Sequence, residues 1–368
     1  MFLSHIPCRY STASKISKPL LNELVSRPFS LTNMAQVSSF QAWRVEQLPD
    51  GSFSGSEQTL SVDTLPPGDT LISVSHSSLN YKDALSAMGN KGVTKNYPHT
   101  PGVDAVGTVL ESDFLTVGDG VLVTGYDLGM NTDGGFGECI RVPSTWCVPL
   151  PDEWKHAPYK SMIYGTAGLT AGLCVQKLLH MGANPQQGQV AVTGATGAVG
   201  SVAVELLSML GFSVVAISGK AANKLKELGA TKVVGRDVLE TTKKPLVKPQ
   251  FANAVDTVGG PFLAELLKQI QPGGSVSCCG LVAGPQLETT VLPFILRGIN
   301  LLGVDSVEIP LKDKMQVWDK FSTEWACPKT EAMCKEIGRQ ELDVCLKAFL
   351  EGKSSGKIVL SHRLTEKA

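Results

Sequence analysis

The chain has 368 residues, 33 of them basic and 34 acidic, for a formal net charge of −1, with 43% apolar and 18% charged side chains. That length suggests about two domains, and the balance is that of an ordinary globular protein. A near-neutral chain without a basic block argues against a nucleic-acid binder held by phosphate contacts, and no apolar run long enough for a membrane span occurs. Glycine is the outlier, with 37 residues clustered where strands should turn into helices, a pattern that favours an α/β fold.

Residues 1–34 stand apart. They hold Arg9, Lys15, Lys18 and Arg27 against the single acid Glu23, with eight Ser or Thr. An Arg- and Ser-rich, acid-poor leader has the composition of an organellar transit peptide, and Arg27-Pro28-Phe29-Ser30 resembles a mitochondrial processing site. The expectation is a mitochondrial protein. The alternative is a disordered tail ahead of a second start at Met34, with a cytoplasmic product. Nine cysteines (8, 139, 147, 174, 278, 279, 327, 334 and 345) are scattered without a CxxC pair, as expected of buried thiols in a reducing compartment.

From about Gln41 the chain reads as short strands and Gly/Pro turns. Thr70-Leu-Ile-Ser-Val-Ser75, Asp104-Ala-Val-Gly-Thr-Val-Leu110 and Gly120-Val-Leu-Val-Thr124 predict strands, punctuated by Pro66-Pro67-Gly68 and Pro101-Gly102. After Gly165 the pattern becomes strand–helix alternation. Gln189-Val-Ala-Val-Thr193 is a short buried strand, and apolar residues at 199, 202, 203, 206, 207 and 210 form a helical stripe stopped by Gly211. Strands are expected at 213–217, 231–234, 252–258 and 275–279, with helical pieces at 224–228 and 261–270. Such alternation implies a doubly wound parallel sheet. Residues 312–350 read as mostly helical, and Lys357-Ile-Val-Leu-Ser361 reads as a strand that could rejoin the first unit.

The turn Thr193-Gly194-Ala195-Thr196-Gly197-Ala198-Val199-Gly200 lies between the predicted strand and helix. Gly194, Gly197 and Gly200 let the backbone approach a pyrophosphate at the helix N-terminus, so the turn predicts a dinucleotide site. The next strand ends Ile217-Ser218-Gly219-Lys220, without the acid that NAD-preferring sites place there. A carboxylate would repel a 2′-phosphate, whereas Ser218, Lys220 and, after the following strand, Arg236 can donate to it. The expected cofactor is NADPH.

The order of units, and the segments Ser78-Leu-Asn-Tyr-Lys-Asp-Ala84, Pro101-Gly-Val-Asp-Ala-Val-Gly107, Gly165-Thr-Ala-Gly-Leu-Thr170, Val192–Gly200, Pro293-Phe-Ile-Leu-Arg297 and Gly303-Val-Asp-Ser-Val307, resemble the medium-chain dehydrogenase/reductase superfamily. The closest likeness is to its zinc-free quinone oxidoreductase branch, which includes the acryloyl-CoA reductases. The resemblance covers roughly residues 40–368. It implies a GroES-like β domain over 35–164, completed by 308–368, and a Rossmann NADPH-binding domain over 165–307. It also implies that Gly197, Ala198, Val199 and Gly200 contact the pyrophosphate, that Ser218, Gly219, Lys220 and Arg236 meet the 2′-phosphate region, and that Leu281, Ile295 and Ser306 line the nicotinamide side. Relatives commonly pair as homodimers through the dinucleotide domain, here with an edge around Leu301–Val307.

Zinc-dependent relatives carry Cys, a His-Glu pair and a second Cys where this chain has Asn80, Val103-Asp104 and Thr166, a set that does not suit zinc. Without a Lewis acid, the expected acceptor is already polarised: an enoyl thioester such as acryloyl-CoA, or alternatively a quinone or enone. In the thioester, hydride would reach the β-carbon and a proton the α-carbon. Asn80 is the expected donor to the acceptor oxygen, and Tyr81 either a wall of the cofactor site or the proton donor. Asp83 is expected to fix the loop. Lys82, Lys91 and Lys95 are candidates for the CoA phosphates. The remaining functional reading is a non-enzymatic NADPH-binding protein.

Overall fold

The computed structural model describes residues 37–219, 221–351 and 356–364, so the leader and Lys220 lie outside the described residues. The described chain opens on a hairpin of β1 (Ser39–Gln47) and β2 (Phe53–Ser61), closed by Gly51 in the left-handed region at φ +85°. Next come β3 (Thr70–Ser78), α1 (Tyr81–Ala87), β4 (Asp104–Ser112), β5 (Gly120–Thr124), β6 (Cys139–Val142) and β7 (Cys147–Pro149). Helix α2 (Tyr159–His180) leads into β8 (Gln189–Thr193), α3 (Ala198–Met209), β9 (Ser213–Ile217), α4 (Ala222–Glu227) and β10 (Lys232–Val234). The alternation continues with β11 (Asn253–Asp256), α5 (Gly260–Leu267), β12 (Ser275–Cys278), α6 (Leu292–Arg297) and β13 (Asn300–Gly303). The tail supplies α7 (Leu311–Ser322), α8 (Pro328–Ala332), β14 (Cys334–Ile337), α9 (Leu342–Leu350) and β15 (Lys357–Ser361).

Six strands form one parallel sheet in the order β10-β9-β8-β11-β12-β13. Its strands are short continuous apolar runs because helices cover both faces. The order reverses between β8 and β11, which puts the binding crevice of a doubly wound sheet at the C-terminal end of β8. The other large sheet runs β14-β15-β3-β4-β5-β7, with β6 also on β3, and apart from β14 with β15 its pairs are antiparallel. The tail strand does rejoin the first unit: Val359, Leu360 and Ser361 of β15 pair with Ser78, Ser77 and His76 of β3.

One apolar core runs through both sheets. Val106, Leu122 and Val148 of the first share a cluster with Val190, Val192 and Val214 of the second, joined by Leu169 and Val175 of α2 and by Val317, Trp318 and Phe321 of α7. The expectation of helix across 312–350 needs correction. β14 interrupts it, because Cys334–Ile337 finds a partner in β15, a pairing that local periodicity does not contain. Among the described residues, no helix is long and apolar enough to cross a membrane.

Candidate active site

The end of β3 and the start of α1 place the first group of residues. Asn80 precedes the helix with extended backbone, and its N–H donates 2.7 Å to Oδ2 of Asp83, three residues on. The other oxygen of Asp83 accepts from the backbone N–H groups of Gly102 (3.2 Å) and Val103 (2.9 Å), tying α1 to the chain entering β4. Complete burial pushes this carboxyl up to about 7, against the pull of the Asn80 N–H, with the neighbouring Asp104 charge adding to the rise. Asp83 therefore fixes the loop, as its sequence position suggests.

Asp104, fully buried at the head of β4, is the centre of the cluster. Its Oδ2 accepts from Ser78 Oγ, from Asn80 Nδ2 at 2.8 Å and from the Thr166 N–H at 2.8 Å, and its Oδ1 from Thr166 Oγ1 at 2.5 Å. Thr166 begins the second half of α2. The helix breaks at Gly165, whose φ of +50° only glycine adopts readily, and a Cβ there would collide with Ser78 Oγ and Asp104 Oδ2. The half-buried Asn80 and Thr166 thus meet on the buried carboxylate of Asp104 in one polar node.

Asn80, the expected donor to the acceptor oxygen, lies within this node. Its Nδ2 is engaged with Asp104 and, at 3.1 Å, with Ser78 Oγ. That amide orders the node from within. Tyr81, the first residue of α1, is 55% exposed. Of the lysines considered for CoA, Lys91 is occupied: its ammonium donates 2.9 Å to the Lys95 carbonyl and lies 4.8 Å from the Tyr97 ring centroid.

The glycine turn forms at the crevice. Gly194 takes φ +56°, and a Cβ on Gly200 would collide with the Gly194 carbonyl, so α3 packs as close to the turn as backbone allows. Gly197 caps α3, and Ala198 and Val199 are its first residues. The N-terminal amides of α3 thus open at the end of β8, which is how a helix presents itself to a phosphate. At the end of β9, the Ser218 hydroxyl lies 3.4 Å from Thr196 Oγ1, and Arg236 starts the turn after the neighbouring β10. Gly219 has open space where a side chain would be. Donors and space therefore gather where a 2′-phosphate is expected, and no carboxylate is contributed by residues 217–219.

The remaining predicted contacts are more spread out. Leu281 follows β12 beside Gly259, and Ile295 lies on α6; both are about two-thirds exposed, at 67% and 68%. Ser306 is buried, its Oγ 2.8 Å from Thr170 Oγ1 on α2. Sequence reasoning missed Lys357. This lysine opens β15, is buried, and donates 3.1 Å to the Ala198 carbonyl at the start of α3. Burial pushes its ammonium down to about 8. The only local signal is a lone lysine heading an apolar strand, which ordinarily reads as an exposed strand end.

Comparison with known proteins agrees with this geometry. Residues 66–152 match the alcohol dehydrogenase GroES-like domain and residues 198–322 the zinc-binding dehydrogenase family. The chain is 42% identical over 327 residues to YhfP of Bacillus subtilis, a protein provisionally named as a quinone oxidoreductase, covering 87% of this chain and 98% of that protein. It is also 42% identical over 324 residues to the probable acrylyl-CoA reductase AcuI of Escherichia coli, covering 87% and 99%. The yhdH oxidoreductase of Salmonella enterica in complex with NADP superposes with a TM-score of 0.84 at 40% identity, covering 88% of this chain and all of that one. The structure of yhfP with NAD bound gives 0.84 at 41%, covering 88% and 99%. Zinc, which the second family's name implies, does not fit the residues here. An amide and two hydroxyls already bonded to one carboxylate, beside Val103, offer neither thiolate nor imidazole. Matched over nearly the whole length of such relatives, the chain belongs to the medium-chain dehydrogenase/reductase superfamily of oxidoreductases.

Proposed function

We propose that this protein is an NADPH-dependent reductase that delivers hydride to the β-carbon of an activated alkene, a short α,β-unsaturated acyl-CoA such as acryloyl-CoA. The Asp104 node carries the reading. Where zinc relatives hold a Lewis acid, this chain has a carboxylate saturated by its own amide and hydroxyl neighbours. A plain ketone needs strong stabilisation of its nascent alkoxide. An acceptor already polarised by a thioester carbonyl needs less. The similarity to AcuI and to the NADP-bound yhdH structure supports the substrate class and the cofactor.

Bound at the crevice, the reduced dinucleotide supplies the hydride. Gly194, Gly197 and the first amides of α3 would hold its pyrophosphate, with the buried Lys357 ammonium as a nearby counter-charge. Ser218, Gly219 and Arg236, with Lys220 outside the described residues, would hold the 2′-phosphate. Leu281, Ile295 and Ser306 would form the nicotinamide side. Residues 35–164 with 308–368 would serve the substrate and 165–307 the cofactor. The Tyr81 hydroxyl, exposed beside Asn80, is the proton donor to the α-carbon. A quinone or enone acceptor is the second reading, supported by the similarity to YhfP.

The test is NADPH oxidation against acryloyl-CoA, crotonyl-CoA, quinones and enones. The proposal expects acryloyl-CoA to lead by at least about tenfold in kcat/KM, a difference of about 1.4 kcal/mol, with turnover surviving extended chelation. A quinone in first place would move the protein to the second reading.

Two further elements belong to this proposal. The working form is a homodimer paired along β13, the edge of the six-stranded sheet, beside the exposed Val282, Val291 and Leu296. Sedimentation should then give two chains, and Leu296→Asp one. Residues 1–34 direct import into the mitochondrion, the reading supported by their basic, acid-poor composition. A fluorescent fusion to these residues should be mitochondrial, and a diffuse fusion would refute import.

A further inference from the structure

The buried stripe of α7 runs through Lys314, Val317, Trp318 and Phe321, so a lysine occupies a position whose spacing calls for an apolar side chain. Lys314 is wholly buried. Its ammonium donates 2.6 Å to the Thr124 carbonyl at the end of β5 and 2.9 Å to the Val307 carbonyl, and it sits 3.5 Å from the Tyr126 ring centroid. Three donors meet three electron-rich partners, and none of them is a carboxylate. Burying an ammonium in this way costs several kcal/mol before its contacts are counted. A methionine would fill the same volume without that cost. The charge is needed only if the carbonyls must be gathered.

What it gathers is the loop between β13 and α7. Val307 O accepts both Lys314 Nζ and the Tyr126 N–H, the latter at 3.2 Å. Gly125 allows the approach, since a Cβ there would lie 3.0 Å from the Val307 backbone and 3.1 Å from the Ser306 carbonyl. Inside the loop, Asp305 accepts from the Val307 N–H at 2.7 Å, and Ser306 reaches Thr170 of α2. At the base, Lys177 Nζ donates 2.6 Å to the Gly303 carbonyl. The loop is therefore clamped between β5 and α2, and Lys314 hydrogen-bonds β5 and the loop together through the Thr124 and Val307 carbonyls.

We propose that Lys314 is a positioning residue for the reaction, which holds the 303–308 loop against the end of β5 so that Ser306 keeps its place at the nicotinamide side of the cleft. This rests on the reading of Ser306 given above. Lys314 touches neither substrate nor cofactor; it acts through Val307.

The test measures dissociation constants for NADPH and for adenosine 2′,5′-bisphosphate, which lacks the nicotinamide half. Lys314→Met should weaken NADPH by about tenfold and leave the bisphosphate within about twofold. Gly125→Ala, which crowds the same loop without removing a buried charge, should show the same asymmetry and stands in if Lys314→Met does not fold. Equal weakening of both ligands, or of neither, would overturn the inference. Ser306→Val separates the two claims. If it weakens NADPH while Lys314→Met does not, the Lys314 inference fails alone. If Ser306→Val leaves NADPH untouched, the nicotinamide-side reading fails.

Discussion

The glycine turn and the Asp104 node solve opposite problems. At the turn, side chains are withheld: Gly194 and Gly200 leave backbone amides and space for a ligand. At the node, Ser78, Asn80 and Thr166 converge on one carboxylate, and both of its oxygens are engaged. The first is built by residues within seven positions of one another. The second joins Ser78 of β3, Asn80 at the start of α1, Asp104 of β4 and Thr166 of α2. A site made for an external phosphate is coded locally, whereas a site that satisfies itself is coded by tertiary contacts.

The contrast breaks most sharply at Asp104. Asp104→Leu removes the acceptor for four donors and leaves buried polar groups unpaired, which should cost about 3–5 kcal/mol in urea unfolding. Loss below about 1 kcal/mol would mean the node holds little together. At the turn, Gly200→Ala should cost less in unfolding, about 1–3 kcal/mol, because the new methyl must push backbone aside. Because its Cβ meets backbone that has little room to yield, NADPH affinity should fall by about a hundredfold, near 2.7 kcal/mol. Equal damage to stability and binding at both sites would erase the distinction.

A smaller effect concerns cofactor choice. Charge-assisted bonds contribute about 1.5–3 kcal/mol each, so Arg236→Ala should reduce the preference for NADPH over NADH by about tenfold with NADH turnover little altered. An unchanged ratio would remove Arg236 from the phosphate site.

The smallest is a slope with pH. His362 is buried behind the node, its Nε2 2.9 Å from the carbonyl of Gly135 and its Nδ1 facing Arg339 NH1 at 3.1 Å. Arg339 can only donate, so Nδ1 accepts and Nε2 carries the proton toward Gly135. Burial pushes this imidazole from 6.5 down to about 3. Between those values the unfolded chain binds the extra proton and the folded one does not, so stability is lost as pH falls below about 6.5. Asp83, raised to about 7, works in the other direction above 3.8, so the comparison must be with His362→Gln, whose melting temperature should fall less over pH 6.5 to 4.

The same contrast explains what the sequence disclosed. β5, β8, β9 and β15 fall on the residues their apolar runs predict, and the stripe from 199 to 210 is α3. Local period and glycine spacing carry that information. The same signals do not reveal that Asn80 turns inward, since its partner Asp104 is 24 residues away and Thr166 lies 62 beyond Asp104. They also give helix where β14 stands, and they carry no sign that Lys314 and Lys357 are buried. Those positions are decided by what packs against them.

The pairing of β15 with β3 has a consequence for how the protein is made. Val359 meets Ser78 across about 280 residues of chain. At about 5–20 residues per second, the ribosome delivers the partner of that end of β3 about 15–55 s after β3 itself. Over the same interval every strand of the six-stranded sheet emerges, each within reach of its neighbours. The later-made half can finish folding first, while the earlier-made half waits with backbone amides open to any passing strand. Newly synthesised chain is therefore most exposed to mispairing at the end of β3 nearest the Asp104 node, and a chaperone that shields extended segments would protect it there until the last strand arrives.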